Sequence, residues 1–125
     1  MGDKNTLTRL ELQVMQALWT LDGAASVSDV QKALPQKLAY TTVQTMLNIL
    51  ERKGRLKRRL KGRAYVYSAT ISRSRAARHA VRDLVERMFG GSADELVMSL
   101  IQSRQIDPER IAKLMREMEK EDSGA

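Results

Sequence analysis

The first fifty residues carry apolar side chains at helical spacing, and the pattern predicts three short helices. Thr8-Arg9-Leu10-Glu11 has the spacing of a capping box, so the first helix begins there and Gly23 ends it. Ser26 begins a second, shorter helix that Pro35 stops, and a third is predicted over residues 40–53. The residues expected to face the core are Leu10, Val14, Ala17, Leu18, Leu21, Val27, Val30, Leu34, Val43, Met46, Leu47 and Leu50.

Beyond Gly54 the pattern changes to one typical of two strands. Residues 56–60 and 64–69 flank a Lys61-Gly62-Arg63 turn, and Tyr65, Val66 and Tyr67 have strong strand propensity. We expect a hairpin beside the third helix and call residues 55–69 the wing. Tyr65 and Tyr67 are interpreted as packing or edge residues.

Three more amphipathic helices are predicted after Thr70. The first covers residues 72–89 and ends at Gly90-Gly91, Ser92 begins the next, and Asp107-Pro108 begins the last. Their apolar stripes are narrow, which favours helices exchanged with a second copy and hence a homodimer. The residues assigned to dimerisation are Val81, Leu84, Val85, Met88, Leu96, Val97, Leu100, Ile101, Ile111, Leu114, Met115 and Met118.

These elements predict a mainly α fold with a small β-hairpin wing. An N-terminal winged helix-turn-helix domain is expected over residues 1–71, followed by a C-terminal helical dimerisation arm over residues 72–125.

The charge of the chain is concentrated in the predicted N-terminal domain. Residues 1–71 hold twelve Lys and Arg against five Asp and Glu, whereas residues 72–125 hold ten of each. Eight of the basic residues fall between Arg52 and Arg63, where no acid occurs. A basic patch of this kind attracts phosphate whatever the base sequence.

The outer face of the third helix points to base recognition. It carries short hydroxyl and amide side chains, which can donate to and accept from base edges, and threonine methyls, which can contact thymine methyls. We therefore expect a double-stranded DNA-binding protein, with Lys61 and Arg63 of the wing near phosphates or a minor groove. The helix residues on this face are Thr41, Gln44, Thr45, Asn48 and Arg52.

No catalytic, metal or cofactor site is predicted. The chain has no Cys, and its single histidine, His79, has no second ligand at metal spacing. Trp19 is interpreted as a packing residue. The start of the chain lacks a signal-peptide pattern, and no stretch is long enough for a membrane span, so a cytoplasmic location is expected.

Several segments together resemble the penicillinase repressor family of winged-helix regulators. They are Leu7-Thr8-Arg9-Leu10-Glu11, Val14-Met15, Leu18-Trp19, Tyr40-Thr41-Thr42-Val43-Gln44-Thr45-Met46-Leu47-Asn48, Lys53-Gly54 and Gly62-Arg63-Ala64-Tyr65-Val66-Tyr67. The resemblance implies a homodimeric transcriptional repressor that binds a palindromic operator and controls β-lactam-response genes, with a role in antibiotic resistance. It assigns operator contacts to Thr41, Thr42, Gln44 and Thr45, and the family's wing arginine to Arg63.

The resemblance also implies a partner, a membrane-bound sensor metalloprotease that relieves repression by triggering cleavage in a C-terminal helix. The family's Asn-Phe scissile pair aligns with Ser99-Leu100, where both residues differ, so this position is a candidate proteolytic site without the family's residues. Copper-responsive relatives bind the metal through C-terminal cysteines, which are missing here, so thiolate copper sensing is excluded.

Two other classes of protein remain compatible with the pattern. An RNA-binding or architectural protein could use the same basic hairpin, but it would prefer structured RNA, or any duplex, to a palindrome. A ligand-sensing winged-helix regulator of the multiple-antibiotic-resistance type would need a pocket near the dimer helices, and thermal stabilisation by small phenolic ligands would reveal it.

Overall fold

The computed structural model describes residues 7–123, which form six helices and one two-stranded antiparallel sheet. The mainly α fold with a hairpin wing is thus confirmed. In chain order the elements are α1 (Arg9–Leu21), α2 (Val27–Ala33), α3 (Tyr40–Arg52), β1 (Leu56–Lys61), β2 (Ala64–Ala69), α4 (Arg73–Met88), α5 (Ala93–Gln102) and α6 (Pro108–Ser123). The chain divides between Ala77 and Arg78 into two compact units.

Local hydrogen bonds begin the helices where the sequence predicts them. The Thr8 hydroxyl accepts the Glu11 backbone N–H at 3.1 Å, and the Glu11 carboxylate accepts the Thr8 backbone N–H at 2.9 Å, which completes a capping box. Ser26 and Asp29 exchange the same pair of bonds at the start of α2. Asp107 caps α6 by accepting the Arg110 N–H at 2.7 Å, with Pro108 as the first helical residue.

The core of the first unit is shared by α1, α2, α3 and the hairpin. Its buried apolar residues are Val14, Met15, Ala17, Leu18, Ala25, Val27, Val30, Leu34, Val43, Leu47, Leu50, Leu56 and Tyr67. The prediction for Leu21 was wrong, because this side chain at the end of α1 is 40% exposed. Leu10 and Met46 are only partly buried.

The hairpin is fixed by its register and by a third backbone segment. Lys61 pairs with Ala64, so the turn contains only Gly62 and Arg63, one residue fewer than predicted. Gly62 has a φ of 65°, a left-handed conformation that suits glycine in a tight hairpin turn. Ala25 and Tyr67 exchange backbone hydrogen bonds of 2.9 and 2.8 Å, which join the loop before α2 to β2.

Trp19 ties the end of α1 to the segment that follows β2. Its indole N–H donates to the Ile71 carbonyl oxygen at 3.0 Å, across 52 residues of sequence. The ring is half-buried against the core, as expected of a packing residue.

The second unit has a different burial pattern. Within its described residues no apolar side chain is buried, although α4, α5 and α6 all have an apolar stripe. None of the helices described has both the length and the apolar character needed to cross a membrane.

An ion pair between the buried carboxylate of Glu11 and the half-buried Lys53 joins α1 to the end of α3. The Glu11 carboxylate is 3% exposed, and the Lys53 ammonium lies 3.0 Å from its Oε1 and 2.8 Å from its Oε2. Burial acts to raise the pKa of Glu11, but the hydrogen bonds from Lys53 and Thr8 together outweigh it, so the pKa lies below its ordinary value of 4.5. The stability that this pair contributes is therefore present above pH 4.5 and is lost as the pH falls through the lower, folded-state pKa.

Replacing Lys53 by Met should destabilise the protein most at neutral pH, because it leaves the Glu11 carboxylate buried without its counter-ion. We expect a loss of about 3 kcal/mol in the free energy of unfolding at neutral pH. The loss should be smaller at about pH 4, because Glu11 becomes protonated in the variant and no longer places a charge in the core. Urea unfolding followed by circular dichroism at both pH values measures the difference. Arg52→Met is the matched control, since Arg52 is an exposed neighbour; equal losses for Lys53→Met at both pH values would contradict the argument.

Candidate nucleic-acid interface

Helix α3 has one buried face and one exposed polar face. Val43, Leu47 and Leu50 are fully buried, and this fixes the rotation of the helix about its axis. The opposite face, which is open to solvent, consists of the exposed side chains Thr41, Thr42, Gln44, Thr45 and Arg52. The first turn of α3 carries no acidic residue, so this surface would not repel phosphate.

Asn48 differs from the other residues of the predicted polar face. It is half-buried, and its Oδ1 accepts a hydrogen bond of 3.2 Å from the hydroxyl of Tyr67. The amide group keeps its two N–H donors for other partners. The contact links α3 to β2 and so fixes the wing relative to the helix.

The two faces of the wing carry different chemistry. Lys57, Arg59 and Lys61 alternate along one face of β1, and all three are exposed. The other face begins with buried residues at its base and reaches solvent towards the turn. There the guanidinium of Arg58 lies 4.5 Å from the centre of the Tyr65 ring.

The two wing tyrosines have separate roles. Tyr67 is a core residue with 2% of its surface exposed, whereas Tyr65 is 43% exposed at the edge of the hairpin. This agrees with their interpretation as packing and edge residues. The turn residue Arg63 is exposed beside them, at the tip of the wing.

The basic run of residues 52–63 does not act as one patch. Lys53 is neutralised by Glu11 and holds α3 in place, so it belongs to the scaffold. From the sequence, Lys53 belongs with the other cations of the run, and its ion pair with Glu11 was not predicted. The capping-box position of Glu11 gave no indication that its carboxylate would also meet a lysine 42 residues away. The exposed cations of the run are Arg52, Lys57, Arg58, Arg59, Lys61 and Arg63.

The residues assigned to dimerisation lie on α4, α5 and α6, and none is buried. Half-buried positions are Val85, Leu96, Ile101 and Ile111, and exposed positions are Val81, Leu84, Met88, Val97, Leu100, Leu114, Met115 and Met118. Ser99 and Leu100, the candidate proteolytic site, lie inside α5, where Ser99 is half-buried.

Three packed helices followed by a basic hairpin define a winged helix-turn-helix DNA-binding domain. The penicillinase repressor family matches residues 7–120, and the chain belongs to this family of DNA-binding transcriptional repressors. The resemblance of the sequence to this family is thereby confirmed. Members of the family are not enzymes.

Individual relatives agree with this assignment. The penicillinase repressor of Bacillus licheniformis is 28% identical over 111 residues, which cover 87% of this chain and 86% of that protein. An uncharacterized 16.5 kDa protein of Latilactobacillus sakei is 28% identical over 114 residues, which cover 90% of this chain and 77% of that protein. The solved DNA-binding domain of the repressor BlaI is 32% identical, with a TM-score of 0.50, and covers 59% of this chain and 92% of that domain.

Removing the Tyr67 hydroxyl should test the link between α3 and the wing. Tyr67→Phe keeps the buried ring but removes the donor to Asn48, so we expect a loss of about 1 kcal/mol in the free energy of unfolding. Tyr65→Phe is the control, because this residue is exposed, and should leave stability unchanged. Chemical denaturation of the two variants gives the comparison, and equal stabilities would show that the Tyr67–Asn48 contact contributes nothing.

Proposed function

We propose that this protein acts as a homodimer that recognises a palindromic operator in double-stranded DNA and represses transcription of the genes beside it. The main observation behind the proposal is the exposed polar face of α3, whose first turn carries no acid, next to the exposed cations of the wing. Membership of a family of DNA-binding repressors supports it. Since bacterial DNA lies in the cytoplasm, we expect the protein to work there.

Base recognition is assigned to α3. An α-helix fits the major groove, where each base pair presents a distinct pattern of donors, acceptors and methyl groups. Thr41, Thr42, Gln44 and Thr45 present hydroxyl, methyl and amide groups over the first two turns of the helix, the part that meets base edges in helix-turn-helix proteins. Asn48 would contribute through its amide N–H groups, because Tyr67 engages its oxygen.

Phosphate binding is assigned to the wing and to the end of α3. Arg52, Lys61 and Arg63 are exposed, and none forms an ion pair within the described residues. Lys61 has only a minor Coulombic interaction with Asp29. Arginine and lysine at these points would orient the domain on the duplex without reading its sequence. The guanidinium at the tip of the wing can enter a minor groove, whose negative potential attracts arginine.

Dimerisation is assigned to the apolar stripes of α4, α5 and α6. A single winged helix contacts few base pairs, and two copies related by a two-fold axis match the symmetry of a palindrome. The exposure of Val81, Met88 and Met118 supports the proposal, because helices with a pronounced apolar stripe normally bury it.

The genes and the inducing signal are proposed on family membership alone. Control of β-lactam-response genes fits the name of the Bacillus licheniformis relative, which is a penicillinase repressor. A membrane-bound sensor metalloprotease would then relieve repression. The Ser99–Leu100 peptide bond lies within α5, so a protease would have to unwind this helix before it could cleave there.

Truncating the base-reading residues should weaken binding to the operator selectively. With an operator selected from random duplexes, Gln44→Ala and Thr45→Ala should each cost about 1–3 kcal/mol on the selected duplex and little on a scrambled one. Arg63→Ala should weaken both and reduce the steepness of the salt dependence by about 1.8, the value for one phosphate contact in each subunit of the dimer. Gel-shift titrations at several salt concentrations measure all three.

Gln16→Ala is the matched control for Gln44→Ala, since Gln16 is an exposed glutamine on α1. It should bind both duplexes like the wild type. Equal losses on the selected and scrambled duplexes for Gln44→Ala and Thr45→Ala would rule out base reading by α3.

A charge placed in the proposed dimer interface should separate the copies. Leu84→Glu should raise the dissociation constant of the dimer at least about 100-fold, because a carboxylate would be buried twice in a symmetric contact. Leu12→Glu is a matched control, since Leu12 and Leu84 are 41% and 42% exposed in one copy. Sedimentation velocity over a concentration series reports the assembly state, and a wild-type protein that stays monomeric throughout would refute the homodimer.

A further inference from the structure

Helix α4 begins with a strongly basic segment that the total charge of the C-terminal half conceals. The eleven residues from Ser72 to Arg82 contain four arginines and no Asp or Glu. Acidic residues later in the chain, most of them near the end of α6, cancel them in the sum, so residues 72–125 carry no net charge. The segment was therefore not predicted to be an interaction site.

Three of these arginines lie on one side of α4. Successive residues of an α-helix are about 100° apart, so Arg75, Arg78 and Arg82 share a face, which we call the arginine stripe. Of the α4 residues assigned to dimerisation, Leu84 lies on the opposite face, whereas Val85, seven residues after Arg78, borders the arginine stripe. A second copy that covers α4 around Leu84 would leave Arg75 and Arg82 accessible.

No ion pair neutralises the arginine stripe within the described residues, although Glu86 follows Arg82 by one turn. All three side chains are exposed, and within residues 7–123 none forms an ion pair. The same helix does form such a pair one turn later, where Arg87 lies 3.0 Å from Asp83. The early turns of α4 therefore lack the acids that would neutralise them.

This arrangement works against the stability of the helix. Like charges three or four residues apart repel each other, and cations near a helix N-terminus oppose the helix dipole. Helices α1, α2, α5 and α6 carry an acid in the first turn, as the dipole favours. Among the described helices, only α3 and α4 have none, and α3 is the helix assigned to DNA. An external anion would remove the repulsion in α4.

We infer that the arginine stripe binds the phosphates of duplex DNA as a second, sequence-independent contact outside the winged helix. The inference rests on the proposed function of the chain. Arg75 and Arg82 are separated by seven residues, or about 10 Å along the helix, which matches about three phosphates of one strand. Arginine suits this task, because its planar guanidinium can form two parallel hydrogen bonds to one phosphate.

The test compares two variants that lose the same charge from different helices. In the first, Arg75, Arg78 and Arg82 are all changed to Gln; in the second, Arg110, Lys113 and Arg116 of α6, which are also exposed, are changed to Gln. Binding to the selected operator and to a scrambled duplex of equal length is measured over a range of KCl concentrations. Circular dichroism checks the fold, and sedimentation velocity without DNA checks self-association.

We expect the first variant to bind both duplexes more weakly, with a salt slope shallower by about 5, as for the loss of three phosphate contacts in each subunit of the dimer. The second should keep a slope close to that of the wild type, and both should associate normally. Equal changes in slope would show a general effect of net charge and overturn the inference. So would weaker self-association of the first variant alone, which would place the arginine stripe against the acidic C-terminal end of α6 in a second copy.

The proposed function and this inference can fail separately. A wild-type protein that binds the operator no better than the scrambled duplex would refute operator recognition. The slopes measured on the scrambled duplex would still decide whether the arginine stripe contacts phosphate.

Discussion

The rotation of α3 about its own axis is the constraint on which the proposed interface depends. Val43, Leu47 and Leu50 are fully buried, and each contributes roughly 1.5–3 kcal/mol by leaving water. Turning the helix by one residue would expose this face and bury hydroxyl and amide groups without partners. The apolar face thus determines that Thr41 and Gln44 point to solvent, although neither contributes to the core.

Contacts between distant parts of the chain then hold the helix and the wing in one body. Glu11 and Lys53 join α1 to the end of α3, while Tyr67 joins β2 both to Asn48 and to the backbone of Ala25. These contacts are polar and partly buried, so each is directional as well as stabilising. The helix and the hairpin are therefore presented to a duplex as a preformed pair, which lowers the entropy cost of binding.

The second unit differs from the first in how its helices bury apolar surface. Its helices are capped and amphipathic, yet no apolar side chain among its described residues is buried. Hydrophobic burial is the dominant favourable term in folding, so helices of this kind normally gain stability from a partner surface. A second copy supplies such a surface in our proposal, and α4 would then present the arginines and the dimer contact on adjoining faces.

The helices, their caps and the hairpin could be predicted because they depend on interactions within a few residues. Thr8 meets Glu11 and Asp107 meets Arg110 at a spacing of three, whatever the rest of the chain does. The length of the wing turn was missed by one residue and Leu21 was wrongly placed in the core. Strand register and the extent of the core depend on packing between elements.

The sequence by itself determined the family, the order of elements and the polar side of α3, since these follow from residue spacing and residue type. Only the tertiary structure decided that Lys53 neutralises Glu11 and that Tyr67, but not Tyr65, is a core residue. It also decided that the oxygen of Asn48 is engaged by the wing. The physical reason is that these pairings join residues far apart in sequence. No local pattern specifies which of several similar polar or aromatic side chains will come into contact when the core forms.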